Sequence, residues 1–324
     1  MAGATSKMKI LITGGAGFIG SNLVKFLLES SDYKITVLDN LSVGQRSYDF
    51  PPSVEFIRGD FTDSKTINAA LNGIDAVVHL AALSGVIDSV IDPVPSFKIN
   101  AEGSFQLLYL AKQAGVRRIV NASTGGAILG DVTPPISESM APSPLSPYGA
   151  TKLAVEGYCS AFSGSYGLPC ISLRFSNIYG PGSAHKKSVV ASFMKNAIQK
   201  VPLTVYGDGT QERDYLFVGD LVRGIKSAID SDLVGTFQLG SGKPTSLLTL
   251  IKEFEAVLGQ KMDVVFEKSR KGEVHRTWCD IAKASEKLGF SPTTDLISGL
   301  SKTWKWFDDR KDSVLLQSAV SSSD

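Results

Sequence analysis

Residues 9–20 read KILITGGAGFIG, and this stretch decides the fold of the first half of the chain. Residues 9–13 have the length and the β-branched content of a buried strand. A glycine-rich turn follows directly, and residues 17–29 then place apolar side chains at helical spacing. The pattern predicts a strand, a tight turn and a helix in immediate succession.

The glycines of this turn have the spacing of a phosphate-binding loop. Gly14, Gly17 and Gly20 give G-x-x-G-x-x-G, and Gly15 with the last two gives G-x-G-x-x-G. Such glycines permit a tight turn, close approach of the backbone to a pyrophosphate and close packing of helix on strand. The helix N-terminus adds unpaired N–H groups and the positive end of its dipole. We therefore predict a dinucleotide site, with a purely structural turn as the alternative.

Further strand-like runs alternate with helical segments as far as about residue 176. Strands alternating with helices favour right-handed βαβ units, so the expected fold class is α/β, a doubly wound parallel (Rossmann) sheet with a smaller C-terminal substrate lobe. We expect a dinucleotide-binding domain over residues 1–176, with a chain return at 215–239, a sugar-binding lobe over 177–307 and a frayed tail over 308–324. The expected strands beyond the first are 34–38, 54–57, 76–80, 118–121 and 170–174.

Two acidic residues at predicted strand ends bear on the choice of dinucleotide. Asp39 ends the second strand, where a carboxylate accepts hydrogen bonds from both ribose hydroxyls and repels a 2′-phosphate. This position favours NAD over NADP, and the alternative is that Asp39 only begins a turn before Asn40. Asp60 follows the third strand and is a candidate for the adenine end of the site.

Composition excludes several other classes of function. With 33 basic and 32 acidic residues the net charge is +1, which gives no support to a general nucleic-acid or polybasic membrane role. No apolar run approaches the roughly 20 residues of a membrane span, and the initial MAGATSK lacks the apolar stretch of a secretory signal. Cys159, Cys170 and Cys279 show no metal-ligand spacing. We expect a reduced, cytoplasmic enzyme without a metal.

A tyrosine and a lysine four residues apart are the candidate catalytic pair. Tyr148 and Lys152 open a helical segment after a proline-rich stretch, and residues i and i+4 share one face of a helix. A lysine ammonium near a phenol favours phenolate and lowers its pKa. Tyr148 is thus a candidate general base near neutral pH.

Taken together, these motifs resemble the extended short-chain dehydrogenase/reductase family, and in particular its nucleotide-sugar 4-epimerases. The resemblance extends over about residues 8–307 and is specific for the family, less so for the substrate. It rests on TGGAGFIG at 13–20, DNLS at 39–42, HLAA at 79–82, STGG at 123–126, YGATK at 148–152, RFSNIYGP at 174–181, RDY at 213–215 and DIAKASEKL at 280–288.

The resemblance implies a role for each matching residue. Catalysis would fall to Tyr148, Lys152 and Thr124, with Ser123 as the neighbouring hydroxyl. Asn177, Arg213 and Arg270 would grip the diphosphate of a UDP-sugar, with Glu273 on the uridine ribose and Thr277 close to the sugar. The implied NAD-binding residues are Gly14, Gly17, Phe18, Ile19, Gly20, Asp39, Asn40, Asp60, Phe61, Leu80, Ala81, Ala82, Asn100, Tyr148 and Lys152.

The residues after Thr124 indicate which reaction the resemblance implies. Family 4,6-dehydratases carry Asp-Glu after the threonine, and UDP-glucuronate decarboxylases carry a nearby glutamate, whereas this chain has Gly125 and Gly126. Reversible oxidation at one sugar carbon needs only Tyr148, Lys152, Thr124 and bound NAD. The expected activity is therefore 4-epimerisation through a transient 4-keto sugar.

Two features bear on the identity of the sugar. Thr277 stands where a bulky tyrosine excludes N-acetylated sugars in the family, and threonine leaves space. Lys186 and Lys187 lie on a loop near the sugar in relatives, where a cation suits the carboxylate of UDP-glucuronate. Hexuronate epimerases commonly place arginine just after Gly-Pro, however, and Gly182 occupies that position here. We expect UDP-glucose/UDP-galactose, with UDP-glucuronate as the alternative.

Two functions other than epimerisation stay open as alternatives, and the sequence also bears on the oligomeric state. One is an NADP-linked deoxysugar reductase, against which Asp39 argues. The other is a non-catalytic NAD-binding regulator, against which the set of Tyr148, Lys152 and Thr124 argues. Apolar stripes along residues 96–114 and 148–166 match the four-helix face through which relatives form homodimers, and a homodimer is the expected state.

Overall fold

The computed structural model describes residues 7–42, 50–269 and 274–315 of the chain. The strands are β1 Met8–Thr13, β2 Tyr33–Asp39, β3 Val54–Arg58, β4 Ala76–His79, β5 Arg118–Thr124, β6 Cys170–Phe175, β7 Asn177–Tyr179, β8 Leu203–Tyr206, β9 Glu212–Arg213, β10 Tyr215–Phe217, β11 Gly235–Leu239, β12 Thr245–Ser246 and β13 Val264–Glu267.

The helices run between and around these strands. They are α1 Phe18–Leu28, α2 Ser64–Ala70, α3 Val86–Ile91, α4 Pro93–Ser96, α5 Ser104–Gln113, α6 Gly126–Leu129, α7 Pro147–Tyr166, α8 Val189–Gln199, α9 Val218–Asp230, α10 Leu247–Leu258, α11 Ala282–Leu288 and α12 Leu296–Asp308. A π-helical segment, Phe97–Gly103, joins α4 to α5. Across the described ranges, no helix has the length and apolar character required to span a bilayer.

The central sheet has seven parallel strands in the order β3-β2-β1-β4-β5-β6-β11. The chain builds outward from β1 through β2 to β3, returns to the other side of β1 with β4, and continues outward from there. This reversal creates a crevice outside the carboxyl ends of β1 and β4, the usual place for a ligand in such sheets. The prediction of a doubly wound parallel sheet is confirmed.

Both faces of the sheet are buried, which explains the near-continuous apolar strands of the sequence. Ile10 and Ile12 of β1 belong to one apolar cluster and Leu11 between them belongs to another, and all three are 0% exposed. A strand buried on both faces therefore shows a continuous apolar run in the sequence rather than strict alternation of apolar and polar residues.

The segment expected to return to the sheet supplies α9, which packs against α1, and the edge strand β11 beside β6. The prediction of a frayed tail from residue 308 is wrong for 308–315. Residues 311–315 are helical, and this places Val314 in the apolar core with only 2% of its surface exposed. Residues 316–324, which include SAVSSSD, lie outside the described residues.

Candidate active site

A cleft of about 520 Å³ opens at the carboxyl ends of the strands, at the switch point between β1 and β4. It brings together most of the residues that the sequence singled out. The predicted residues that line it are Gly14, Gly17, Phe18, Ile19, Gly20, Asp39, Asn40, Asp60, Phe61, Leu80, Ala81, Ala82, Ser123, Thr124, Tyr148, Lys152, Asn177, Arg213 and Thr277.

The turn after β1 is built so that only glycine fits at its key positions. Gly14 has φ +71°, and a Cβ there would lie 2.7 Å from the backbone nitrogen of Ala81. A Cβ on Gly20 would lie 2.6 Å from the Cα of Gly15. Among the described residues, no side chain caps the first turn of α1, and the residues of that turn line the cleft. This geometry fits the pyrophosphate of a dinucleotide.

Asp39 ends β2 at the rim of the same turn. Its carboxylate accepts hydrogen bonds from the backbone N–H groups of Ala16, at 3.0 Å, and Leu41, at 2.8 Å. Burial raises the pKa of Asp39, and the two backbone hydrogen bonds act in the opposite direction. The carboxylate is thereby fixed beside the phosphate turn, where the adenine ribose of NAD would be held.

Asn100, expected among the NAD-binding residues, lies in the segment between α4 and α5. The described residues that line the cleft do not include Asn100, which lies in the π-helical segment and is 1% exposed. Its amide accepts from Leu83 N–H at 2.8 Å and donates to the Leu83 carbonyl at 2.9 Å. Asn100 thus holds the loop after β4, whose residues Leu80–Ala82 form the cleft wall.

Tyr148 and Lys152 are presented by the first turns of α7. Ser146 caps this helix by accepting a hydrogen bond from Gly149 N–H, and Pro147 occupies its first turn. Lys152 is 6% exposed, and its ammonium donates to the Ala122 carbonyl at 2.8 Å. Burial lowers the pKa of Lys152 to about 8, with the Glu156 charge opposing the change.

The expected lowering of the Tyr148 pKa is not found in the chain by itself. Burial raises the pKa of Tyr148 to about 12, so desolvation of the phenolate outweighs any benefit from Lys152. The Lys152 ammonium is directed at a carbonyl of β5 instead. A phenol buried at the cleft is protonated at neutral pH until further positive charge is brought beside it.

The two hydroxyls at the end of β5 are not equivalent. The Ser123 hydroxyl donates to the Glu156 carboxylate at 2.6 Å, and Glu156 also pairs with Arg174 at 2.8 Å. The described part of the chain records no hydrogen bond to the Thr124 hydroxyl, which lines the cleft. Thr124 is therefore the hydroxyl available to a ligand.

Asn177, Arg213 and Thr277 line the same cleft as the phosphate turn. Arg213 donates to the carbonyls of Glu212, at 2.9 Å, and His275, at 3.0 Å. The backbone N–H of Thr277 donates to the Glu212 carbonyl at 3.1 Å. Arg270 and Glu273, expected at the diphosphate and the uridine ribose, lie outside the described residues.

Sequence reasoning missed several cleft residues that carry no motif. Ser84, Trp278 and Cys279 line the cleft, and Lys186, noted only as a loop cation, donates to the Ser84 hydroxyl at 3.1 Å. Burial lowers the pKa of Lys186. The only signal for Trp278 and Cys279 was their position next to Thr277.

Comparison with known proteins agrees with this geometry. Residues 10–240 match the model of the NAD dependent epimerase/dehydratase family. A putative UDP-glucose 4-epimerase of Methanocaldococcus jannaschii is 35% identical over 92% of this chain and 97% of its own length. The UDP-glucose 4-epimerase of Thermotoga maritima, solved with UDP-glucose, is 36% identical with a TM-score of 0.89 over 93% of this chain and 99% of that one.

A third relative was solved with the cofactor. The UDP-glucuronic acid 4-epimerase of Bacillus cereus, in complex with UDP-glucuronic acid and NAD, is 33% identical, with a TM-score of 0.87 over 93% of this chain and 99% of that one. The turn, the acidic strand end and the Tyr-Lys pair of the cleft fit NAD, and the family model matches more than half of this chain. This chain therefore belongs to the NAD-dependent epimerase/dehydratase family.

Proposed function

We propose that this protein is a UDP-sugar 4-epimerase that interconverts UDP-glucose and UDP-galactose. The observation that carries the proposal is the single cleft shared by the phosphate turn, the Tyr148–Lys152 pair, Thr124, Asn177 and Arg213. Gly125 and Gly126 follow Thr124, so the acid and base that elimination or decarboxylation would need have no side chain there.

In this proposal the reaction begins and ends at the 4-hydroxyl of the sugar. The Tyr148 phenolate takes the proton of that hydroxyl, directly or through Thr124, and returns it after the 4-keto sugar has turned its other face. Bound NAD would supply the acceptor and donor of the C4 hydride, and the positive charge of its oxidised form would favour the phenolate. The Lys152 ammonium, held by the Ala122 carbonyl, orients the nicotinamide ribose.

Rotation of the keto sugar requires that the nucleotide stay fixed. Arg213 and Asn177 line both the main cleft and an adjoining cavity of about 460 Å³, which also contains Gln211 and Tyr206. A guanidinium suits phosphate oxygens geometrically, and this cavity offers room for the uridine. Arg270 and Glu273 stay predicted contacts of the diphosphate and the ribose.

Lys186 supports UDP-glucuronate as a second candidate. Its ammonium reaches the Ser84 hydroxyl across the cleft, and Ser84 belongs to the loop that leads into α3, where the Ser89 hydroxyl accepts the Tyr148 N–H at 3.1 Å. This places a cation at the Tyr148 end of the cleft, where it suits a C6 carboxylate.

The test is proton NMR of the purified protein with UDP-glucose and UDP-glucuronate as separate substrates and no added NAD. Appearance of the C4 epimer of UDP-glucose supports the proposal and shows that NAD stays bound. Conversion of UDP-glucuronate alone makes the second candidate correct. If neither sugar is converted when NAD is supplied, the proposed function is wrong.

A variant of Lys186 separates the two sugars. If Lys186 binds the carboxylate, Lys186→Met should lower kcat/KM only for UDP-glucuronate. If Lys186 binds the diphosphate, the variant should lower kcat/KM equally for both UDP-sugars. Lys252→Met is the matched control, because Lys252 is exposed on α10 and is not among the described residues that line either cavity. The selectivity of Lys186→Met, measured as the ratio of kcat/KM values, decides between these roles.

We also propose a homodimer in which an aromatic face on α5 and α7 is buried. Phe97, Phe105, Tyr109, Tyr158 and Tyr166 are each 40–59% exposed. The rings of Phe105 and Tyr158 lie 4.9 Å apart, so the exposed rings of the two helices form one continuous surface. Aromatic side chains are typical of the buried centre of an interface. A cytoplasmic location stays a prediction from the sequence.

A further inference from the structure

Asp214 is a buried carboxylate on the substrate side of the cleft, between Arg213 and the first residue of β10. It is 1% exposed, and three backbone N–H groups donate to it. One oxygen accepts from Ser241 at 2.6 Å, and the other accepts from Gly242 and Cys279 at 3.1 Å each. A buried carboxylate is tolerated only when such hydrogen bonds compensate for its lost hydration.

The segments joined by Asp214 all carry residues of the proposed substrate site. Cys279 directly follows Thr277 and Trp278, and all three line the cleft. The backbone carbonyl of Asp214 accepts from Asn177 N–H at 3.0 Å. One residue thus connects the strand of Asn177, the strand of Arg213 and the segment of Thr277.

The Asp214 carboxylate and the Cys279 segment pack directly against Gly240. A Cβ on Gly240 would collide with the carboxylate of Asp214 and would lie 2.9 Å from the Cβ of Cys279. The absence of a side chain at residue 240 therefore allows the carboxylate and the Cys279 segment to meet.

We propose that Asp214 is a positioning residue that fixes the Thr277–Cys279 segment relative to Arg213 and Asn177, and thereby sets the affinity for the nucleotide of the substrate. The inference rests on the proposed function for the identity of that ligand. An amide in place of the carboxylate has only one acceptor oxygen. At least one of the three N–H groups then loses its partner in Asp214→Asn.

Asp220 of α9 offers a matched control. It is also 1% exposed and also accepts backbone hydrogen bonds, from Thr293 at 3.3 Å and Thr294 at 3.1 Å. It pairs in addition with Arg223 and lies away from the residues that line the cleft. Asp220→Asn therefore reports the general cost of changing a buried carboxylate in this fold.

The experiment compares both variants with the wild type in their NAD-loaded form. UDP is titrated calorimetrically, retained NAD is measured after denaturation, and amide hydrogen exchange is followed at 241–242 and 277–280. For Asp214→Asn we expect about a tenfold weaker UDP affinity, unchanged NAD content and faster exchange at both segments. For Asp220→Asn we expect lowered thermal stability with UDP affinity and the exchange of these segments unchanged.

Two results would overturn the inference. One is an Asp214→Asn protein that binds UDP and exchanges these amides like the wild type, and the other is an equal loss of UDP affinity in Asp220→Asn. Failure of the proposed function is a separate result, in which the wild type itself binds no UDP. The exchange measurement still decides in that case whether Asp214 holds the two segments.

Discussion

The Ser123 hydroxyl donates to the Glu156 carboxylate at 2.6 Å, across the 33 residues that separate the end of β5 from the third turn of α7. Glu156 is itself held by Arg174 of the neighbouring strand β6, with both side chains less than 10% exposed. Ser123 is thereby committed to a buried polar network beneath Lys152. The adjacent Thr124 is left to face the cleft.

This difference predicts separate effects for the two hydroxyls. Thr124→Val should lower kcat by about 10-fold to 100-fold with little loss of stability, because it removes a hydrogen-bonding group beside Tyr148. Ser123→Ala should instead lower the free energy of unfolding by about 1 kcal/mol with a small change in kcat, because Glu156 loses one partner. Steady-state kinetics and thermal unfolding of both variants measure these effects. Catalysis would be assigned to Ser123 if Ser123→Ala lowered kcat and Thr124→Val lowered only the stability.

Tyr148→Phe should lower kcat by about 10²-fold to 10⁴-fold while the retained NAD stays unchanged, because the variant lacks only the proton-transferring oxygen. Tyr158→Phe, on the exposed face of the same helix, is the control. The measurement is epimer formation by proton NMR. Activity of Tyr148→Phe within tenfold of the wild type would exclude Tyr148 as the base.

Six of the seven strands of the central sheet were predictable because each has a local apolar run of strand length, whereas β11 was expected only as part of a chain return. KILIT at 9–13 and AVVH at 76–79 are apolar runs of strand length, and two-sided burial in a parallel sheet explains why they do not alternate. The π-helical segment was not predictable, since its sequence has ordinary helical periodicity. The buried Val314 was missed because a short polar-flanked segment gives no sign of the core it meets.

The site was predictable where the chemistry depends on spacing and not where it depends on packing. Gly14, Gly20, Tyr148 and Lys152 are close in sequence to the partners that define their roles. The hydrogen bond from Lys186 to Ser84 joins residues 102 positions apart, and no local sequence pattern indicates it. The Tyr148 pKa was misjudged for the same reason, because sequence shows the neighbouring lysine but not the burial.

Asp39→Asn should reduce the preference for NAD over NADP about tenfold or more. The amide removes the negative charge that repels a 2′-phosphate, and preference is a difference between two affinities. The measurement is the ratio of dissociation constants for the two dinucleotides. Asp63→Asn is the control, because Asp63 caps α2 by accepting from Thr66 N–H at 2.9 Å and is not among the described residues that line the cleft. An unchanged ratio in Asp39→Asn would show that another group selects the cofactor.

Phe105→Glu should convert the proposed homodimer into a monomer, because it places a charge at the centre of the aromatic face on α5 and α7. Analytical ultracentrifugation at a fixed concentration measures the change. Ile297→Glu is the matched control, since Ile297 is 47% exposed on α12, whereas Phe105 is 40% exposed. A wild type that sediments as a monomer, or dimer loss in both variants, would contradict the proposed interface.

His79 provides a prediction for stability at acidic pH. The ring lies fully buried between Thr13, at 2.7 Å from Nδ1, and Ser104, at 2.8 Å from Nε2. Burial, with a smaller contribution from the Lys152 charge, lowers the pKa of His79 to about 3. The unfolded chain therefore binds a proton near pH 6.5, whereas the folded chain does not until the pH is far lower.

The stability contributed by neutral His79 is therefore fully present above pH 6.5 and is lost as the pH falls toward 3. The free energy of unfolding should fall by about 2 kcal/mol between pH 6.5 and pH 5. His79→Gln should be less stable than the wild type at pH 7, because its amide replaces a fitted ring, yet should lose less stability on acidification. Chemical denaturation at pH 7, 6 and 5 measures both slopes. The exposed His275→Gln should keep the wild-type slope, and a His79→Gln slope equal to that of the wild type would show that His79 does not control the acid sensitivity.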